Sequence, residues 1–187
     1  MPAAPWSQMR WIGRRYARHF AVVAAIALIA VAGLLFPPPS HAIAGRAEVS
    51  DGDTIRIGAT RIRLVGIDAP ELAQTCTDQS GKDWSCGAEA KAFVIGLIDR
   101  RDVACTLRGT DRYGRSLGTC TASGGDLNAA IVTAGWAVSD GGYFGEQDQA
   151  RAAARGIWSG SFIAPATWRR SHGEGGNAWD WLSHFWP

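Results

Sequence analysis

Three short clusters hold the side chains best suited to chemistry on a phosphate ester: Asp51-Gly52-Asp53-Thr54, Arg63-Leu64-Val65-Gly66-Ile67-Asp68-Ala69-Pro70-Glu71 and Asp111-Arg112-Tyr113-Gly114-Arg115. A phosphodiester is anionic, so a carboxylate cannot approach it without a cation between them. Aspartates are hard oxygen ligands of the kind that hold Ca2+. Guanidiniums answer charge on phosphoryl oxygens with forked donors and keep their protons. Taken singly, each cluster has a plain structural explanation. Asp-Gly-Asp is a common turn, Asp-Ala-Pro-Glu caps a strand end with Pro70 stopping the pairing, and Asp-Arg-Tyr-Gly-Arg closes a hairpin. Arg61 shares a strand face with Arg63 but stands two residues too early, and reads as surface.

The elements that must position these clusters follow from periodicity. Ile55 and Ile57 share one strand face, and Ile62 and Leu64 share another with Arg61 and Arg63 pointing away. Residues 72–86 read as loop. Ala88 to Ile98 reads as a short amphipathic helix with Ala88, Ala92, Ile95 and Ile98 on its apolar face. Val103–Leu107 and Ser116–Thr121 are hairpin strands. Leu127–Ala134 is a second helix with Asp126 as N-cap and Gly135 at its end, and Glu146–Arg155 is a third, ended by Gly156. Short strands interleaved with three helices imply an α+β, mainly β fold: a small five-stranded Greek-key barrel of the oligonucleotide-binding type.

The 187 residues divide into residues 1–44, a domain over 45–158 and a Trp- and Gly-rich tail over 159–187. Arg10, Arg14, Arg15 and Arg18 precede a 17-residue uncharged run, Phe20 to Phe36, and then small residues around Ala42 and Ala44. That order is an export signal. It is either cleaved or retained as an anchor through residues 20–36, the run being at the short end of what spans a bilayer. Both readings leave the domain outside the cytoplasm, periplasmic or extracellular, because the arginines stay inside. The tail, with Trp168, Trp179, Trp181 and Trp186, is left open between docking on the barrel, a membrane interface and mobility.

Whole-chain charge is +2, but all four basic residues before residue 45 lie in the export segment, which holds no acid, so residues 45–187 carry −2. A packaging protein for nucleic acid would be strongly basic. Phosphate binding must therefore rest on a few placed arginines. Cys76, Cys86, Cys105 and Cys120 lack the knuckle spacing of zinc sites. An even count behind an export signal reads as two disulfides, with buried free thiols as the alternative. A hairpin closed symmetrically on 111–114 sets Cys105 opposite Cys120, which leaves Cys76–Cys86 to staple the loop.

In order and spacing, the three clusters resemble the staphylococcal nuclease (thermonuclease) family from about Gly45 to Trp158, together with Gly135-Trp136-Ala137 and Gly156-Ile157-Trp158. The export segment, the cysteines and the Pro165-x-x-Trp168-Arg169 ending are similar to its exported bacterial members. The resemblance implies an endonuclease that hydrolyses DNA and RNA to products with 3′-phosphates. It implies Ca2+ held by Asp53, Asp68 and the backbone carbonyl of Ala69, where many members have Thr. It implies Glu71 on the attacking water, Arg63 and Arg115 on the scissile phosphate and Tyr113 lining the nucleotide site. A monomer is expected. Two alternatives stand beside this: a catalytically inactive barrel that binds nucleic acid or protein, and a structural envelope protein that uses the Trp-rich tail. The complete set of five charged groups argues against both, since binding alone does not require it.

Overall fold

A computed structural model describes residues 19, 22–29, 31 and 40–172, in two units, Met1–Pro39 and Ser40–Pro187. In the first unit residues 22–29 are helical. Among the described residues no helix is long and apolar enough to cross a membrane. Arg10 to Arg18, most of the exit segment, and Trp179, Trp181 and Trp186 lie outside the described residues.

In the second unit five strands, β1 (His41–Val49), β2 (Thr54–Ile57), β3 (Thr60–Leu64), β4 (Asp102–Thr110) and β5 (Ser116–Ala122), pair in the order β3-β2-β1-β4-β5. A parallel ladder between β3 and β5 closes the sheet, with Ile62 opposite Ser116, Arg63 opposite Leu117 and Leu64 opposite Gly118. This is the five-stranded barrel of the oligonucleotide-binding type that the sequence implied. Ile55, Ile62 and Leu64 are fully buried, each contributing about 1.5–3 kcal/mol by leaving water. Their alternation turns Arg63 outward on a strand paired on both sides, between Thr54 of β2 and Leu117 of β5.

Helices α1 (Cys86–Ile98), α2 (Leu127–Thr133), α3 (Phe144–Ala152) and α4 (Pro165–Ser171) surround the barrel. Asp126 caps α2, accepting a hydrogen bond from the Ala129 N–H at 2.9 Å. Val94, Ile98, Leu127, Ile131 and Val132 join the barrel's core. A second, smaller cluster gathers Cys76, Cys86 and Ile157 with Trp84, Trp158 and Phe162.

Three expectations need correction. The buried face of α1 is Cys86, Gly87, Ala90, Val94 and Ile98, whereas Ala88, Ala92 and Ile95 are exposed. The Cys76–Cys86 bond and the larger Val94 set the helix's phase, and counting alanines missed both. Strand β1 starts at His41, four residues before the boundary drawn at Gly45, because residues 41–44 pair with Ala104 to Leu107 of β4. Finally, α4 is a fourth helix that periodicity did not register, seven residues being too short to show a period.

Both disulfides form as expected, Cys76–Cys86 and Cys105–Cys120. Cys105 does face Cys120, but the hairpin is not symmetric to its tip. A bulge between Leu107 and Thr110 shifts the register by one before the turn. The turn then closes with the Asp111 N–H donating to the Arg115 carbonyl at 2.9 Å.

Candidate active site

The first cluster is the tight turn from β1 to β2. The Ser50 N–H donates to the Thr54 carbonyl at 2.9 Å and the Asp53 N–H to Asp51 Oδ1 at 3.0 Å. Asp53 is thereby held under the barrel rim, 4 % exposed. The second cluster leaves β3 through Gly66, whose φ of +79° suits glycine. It pairs Ile67–Asp68 with Val138–Ser139 and so fixes Asp68, also 4 % exposed. Glu71 follows Pro70, and its backbone is pressed against the start of α1. A Cβ on Gly87 would lie 1.7 Å from the Glu71 carbonyl oxygen, so only glycine fits there.

These turns bring the charged groups together. Arg63 Nη1 donates to both carboxylate oxygens of Asp53 at 2.9 Å, and its Nη2 donates to Asp68 Oδ1 at 2.9 Å. Arg115 is oriented by Asp111, with Nε 2.8 Å from Oδ2, and its Nη1 reaches Thr54 Oγ1 at 3.2 Å. Thr54 in turn donates to Asp53 Oδ1 at 3.0 Å, so one hydrogen-bonded chain runs from Arg115 through Thr54 and Asp53 to Arg63. Tyr113 is exposed at the hairpin tip, with the guanidinium carbons of Arg112 and Arg115 at 4.8 and 5.6 Å from its ring centre.

Burial pushes the Asp53 carboxyl up to about 7, against the pull of the neighbouring Arg63 charge and of the Ala69 N–H that donates to it at 3.1 Å. A carboxylate this reluctant to ionise needs cationic company. Among the described residues no three acid, histidine or cysteine side chains converge on one point. The cation site expected from the sequence has two buried carboxylates, Asp53 and Asp68, beside the backbone of Ala69. Asp53 and Asp68 already share one cationic group. Arg63 places one nitrogen on Asp53 and the other on Asp68, a guanidinium standing in for the charge that the two acids accept together.

The cleft above has a volume of about 990 Å³ and is lined by Arg63, Glu71, Arg115 and Tyr113, among others. Arg61 is exposed on its rim rather than remote from it, and Arg112, Arg169 and Arg170 complete a set of six arginines against Asp51, Glu71 and Asp111. The net negative charge of the domain therefore does not describe its cleft.

Arg169 is the functional candidate that reading the sequence missed. Its Nη1 donates to Asp68 Oδ1 at 3.0 Å and to Glu71 Oε1 at 2.8 Å, and its Nη2 to Asp68 Oδ2 at 3.1 Å. Burial draws its pKa down, and the bonds to Asp68 and Glu71 more than reverse this, so it is firmly charged. The Pro165-x-x-Trp168-Arg169 ending was the signal, but it carried no role. Gln74, fully buried, was also passed over. It accepts from the Glu71 N–H at 3.2 Å and donates to the Ile163 carbonyl at 2.7 Å, tying the second cluster to the segment before α4.

Comparison with known proteins shows the family. Residues 61–160 match the family described as Staphylococcal nuclease homologue. That span holds Arg63, Asp68, Glu71, Tyr113 and Arg115 and leaves Asp53 and Arg169 outside. The chain is 41 % identical over 145 residues to a succinoglycan biosynthesis protein, ExoI, of Rhizobium meliloti, covering 74 % of this chain and 73 % of that one. It is 39 % identical over 134 residues to an uncharacterized endonuclease of Escherichia coli O157:H7, covering 65 % and 81 %. It is 32 % identical over 146 residues to a micrococcal nuclease of Shigella flexneri, covering 66 % and 78 %.

Proposed function

The chain belongs to the staphylococcal nuclease homologue family, and from that premise we propose that it is a Ca2+-dependent endonuclease cleaving DNA and RNA to leave 3′-phosphates. The observation that carries the reading is one cleft lined by Glu71 and two oriented guanidiniums, Arg63 and Arg115, with two buried aspartates, Asp53 and Asp68, bonded to Arg63 beneath it.

Asp53, Asp68 and the Ala69 carbonyl would hold the cation, which supplies charge neutralisation of the phosphodiester and a more acidic bound water. Arg63 and Arg115 then bind the scissile phosphate. Arg115 is already aimed by Asp111 and Thr54. Arg63 exchanges its carboxylates for phosphoryl oxygens, which its planar fork matches equally well. Glu71 takes the proton of the attacking water, and its oxygen is within reach of the cleft because Gly87 lets its backbone pack against α1. Tyr113 offers an exposed ring to a base or sugar, steadied by flanking guanidiniums.

Export is part of the proposal, supported by two disulfides that an oxidising compartment maintains. Cleavage at Ala42 or Ala44 would remove β1 residues that pair with β4. The mass of the protein recovered from its host decides between a cleaved signal and a retained anchor.

The test is a digest by the full chain of plasmid, single-stranded DNA and RNA, with Ca2+, Mg2+ and EDTA in parallel, followed by end-group analysis. Cleavage with Ca2+, none with EDTA and 3′-phosphate ends are expected. If all three substrates stay intact with Ca2+ while an EDTA-resistant affinity for single strands remains, the chain is a binding module and not a nuclease.

A further inference from the structure

The barrel and its turns account for every charged group in the cleft except those that α4 brings. Arg169 arrives there 98 residues after Glu71 in sequence, on a segment that is firmly docked. Ser161 and Thr77 exchange backbone hydrogen bonds of 2.8 and 2.9 Å, Gln74 holds the Ile163 carbonyl, and Phe162 packs edge-on against Trp158 with centroids 5.0 Å apart. All of this rests on the loop stapled by Cys76–Cys86 and on its small apolar cluster. A guanidinium delivered by such an anchorage is a placed group, not the end of a loose tail.

Its position conflicts with one of the roles proposed for its partner. Asp68 gives Oδ1 to both Arg63 and Arg169, and gives Oδ2 to Arg169 as well. Three of its roughly four acceptor sites are taken and two guanidiniums already face it, so a cation at Asp68 competes with them for the same charge. Arg63 can turn to the phosphate above it. Arg169 is 28 % exposed along its side chain and lines the same cleft as Arg115 and Tyr113, so it too has an open side. Arg170, the next residue on α4, lines the cleft as well.

Resting on the nuclease reading above, we propose that Arg169 is a further phosphate-binding residue. In the free protein it is parked on Asp68 and Glu71. When a divalent cation takes Asp68 it is released to hold a phosphate of the strand neighbouring the scissile one. Its role is therefore double and opposite: it competes with the cation and assists the substrate. A helix that merely buttressed the barrel would favour both ligands or neither.

The experiment compares the full chain with Arg169→Gln and Arg169→Lys in two measurements. Calorimetric titration with Ca2+ and no nucleic acid should give Arg169→Gln a dissociation constant about three- to tenfold lower than the parent, the size expected when one partly exposed ion pair no longer competes. Steady-state cleavage of a short single-stranded oligonucleotide at saturating Ca2+ should show KM raised about tenfold with kcat nearly unchanged, the mark of lost ground-state binding. Arg169→Lys, which keeps the charge but not the fork, should fall between on both readouts. Unchanged or weaker Ca2+ binding in Arg169→Gln, or an unchanged KM, overturns the inference and leaves the nuclease reading intact. A parent chain that neither binds Ca2+ nor cleaves overturns both.

Discussion

Two guanidiniums reach Asp68 from opposite kinds of scaffold. Arg63 sits on β3, paired with β2 on one side and β5 on the other, inside the closed barrel. Arg169 sits on a seven-residue helix that reaches the site through one backbone bridge, one glutamine and a disulfide-stapled loop. The barrel cannot release Arg63's strand without unfolding, and α4 is held by the Thr77–Ser161 bridge and Gln74, so there it is the Arg169 side chain that turns away. Arg63 is built into the ladder, whereas Arg169 is carried on a short helix outside it.

The contrast breaks most visibly at the barrel side. Arg63→Ala and Glu71→Gln should each lower kcat by at least about 10²-fold, the scale for removing one charge-stabilising or proton-moving group. Circular dichroism should show the fold unchanged, and a loss confined to KM would move Arg63 into the same class as Arg169.

Removing the disulfides separates the two regions by stability. Replacing Cys105 and Cys120 by serine opens a 15-residue loop inside the barrel. It should cost about 3 kcal/mol in chemical denaturation on the chain-entropy estimate. Replacing Cys76 and Cys86 should instead act mainly through α4, raising KM as Arg169→Gln does. Equal effects of the two pairs on KM would erase the distinction drawn here.

A smaller effect concerns pH. With the Asp53 pKa raised from its ordinary value to about 7, the metal-free protein holds this group's stabilising contribution below the usual carboxylate range and loses it as pH rises through about 7. Melting temperature in EDTA should therefore decline across that window, and Asp53→Asn should flatten the decline. The least effect is expected at Arg61, exposed on the rim. There, alanine should change KM by only about two- to threefold, in line with a screened surface charge.

Much of the barrel was legible because its strands obey a period of two. Ile55, Ile57, Ile62 and Leu64 alternate without exception and are all buried. The face of α1 was misjudged because its alanines are ambiguous. A residue that small is tolerated in or out of the core, and the disulfide at Cys86 fixed the phase. Asp53, Arg63, Asp68, Glu71 and Arg115 were grouped by the resemblance of three ordered motifs to the staphylococcal nuclease family, since each cluster alone reads as an ordinary turn. Arg169 was not, since nothing in its own heptapeptide says which carboxylates it will meet.

The order of the residues by itself determined the strand pattern and the disulfide partners, because each of those depends on alternation, turns or short loops. Only the tertiary structure decided that six arginines line the cleft although residues 45–187 carry −2, that Asp68 is claimed by two of them, and that α4 brings Arg169 there. Those facts depend on contacts between positions about a hundred residues apart, and the energy of such a contact is set by where burial and chain closure bring its ends, which no local pattern encodes.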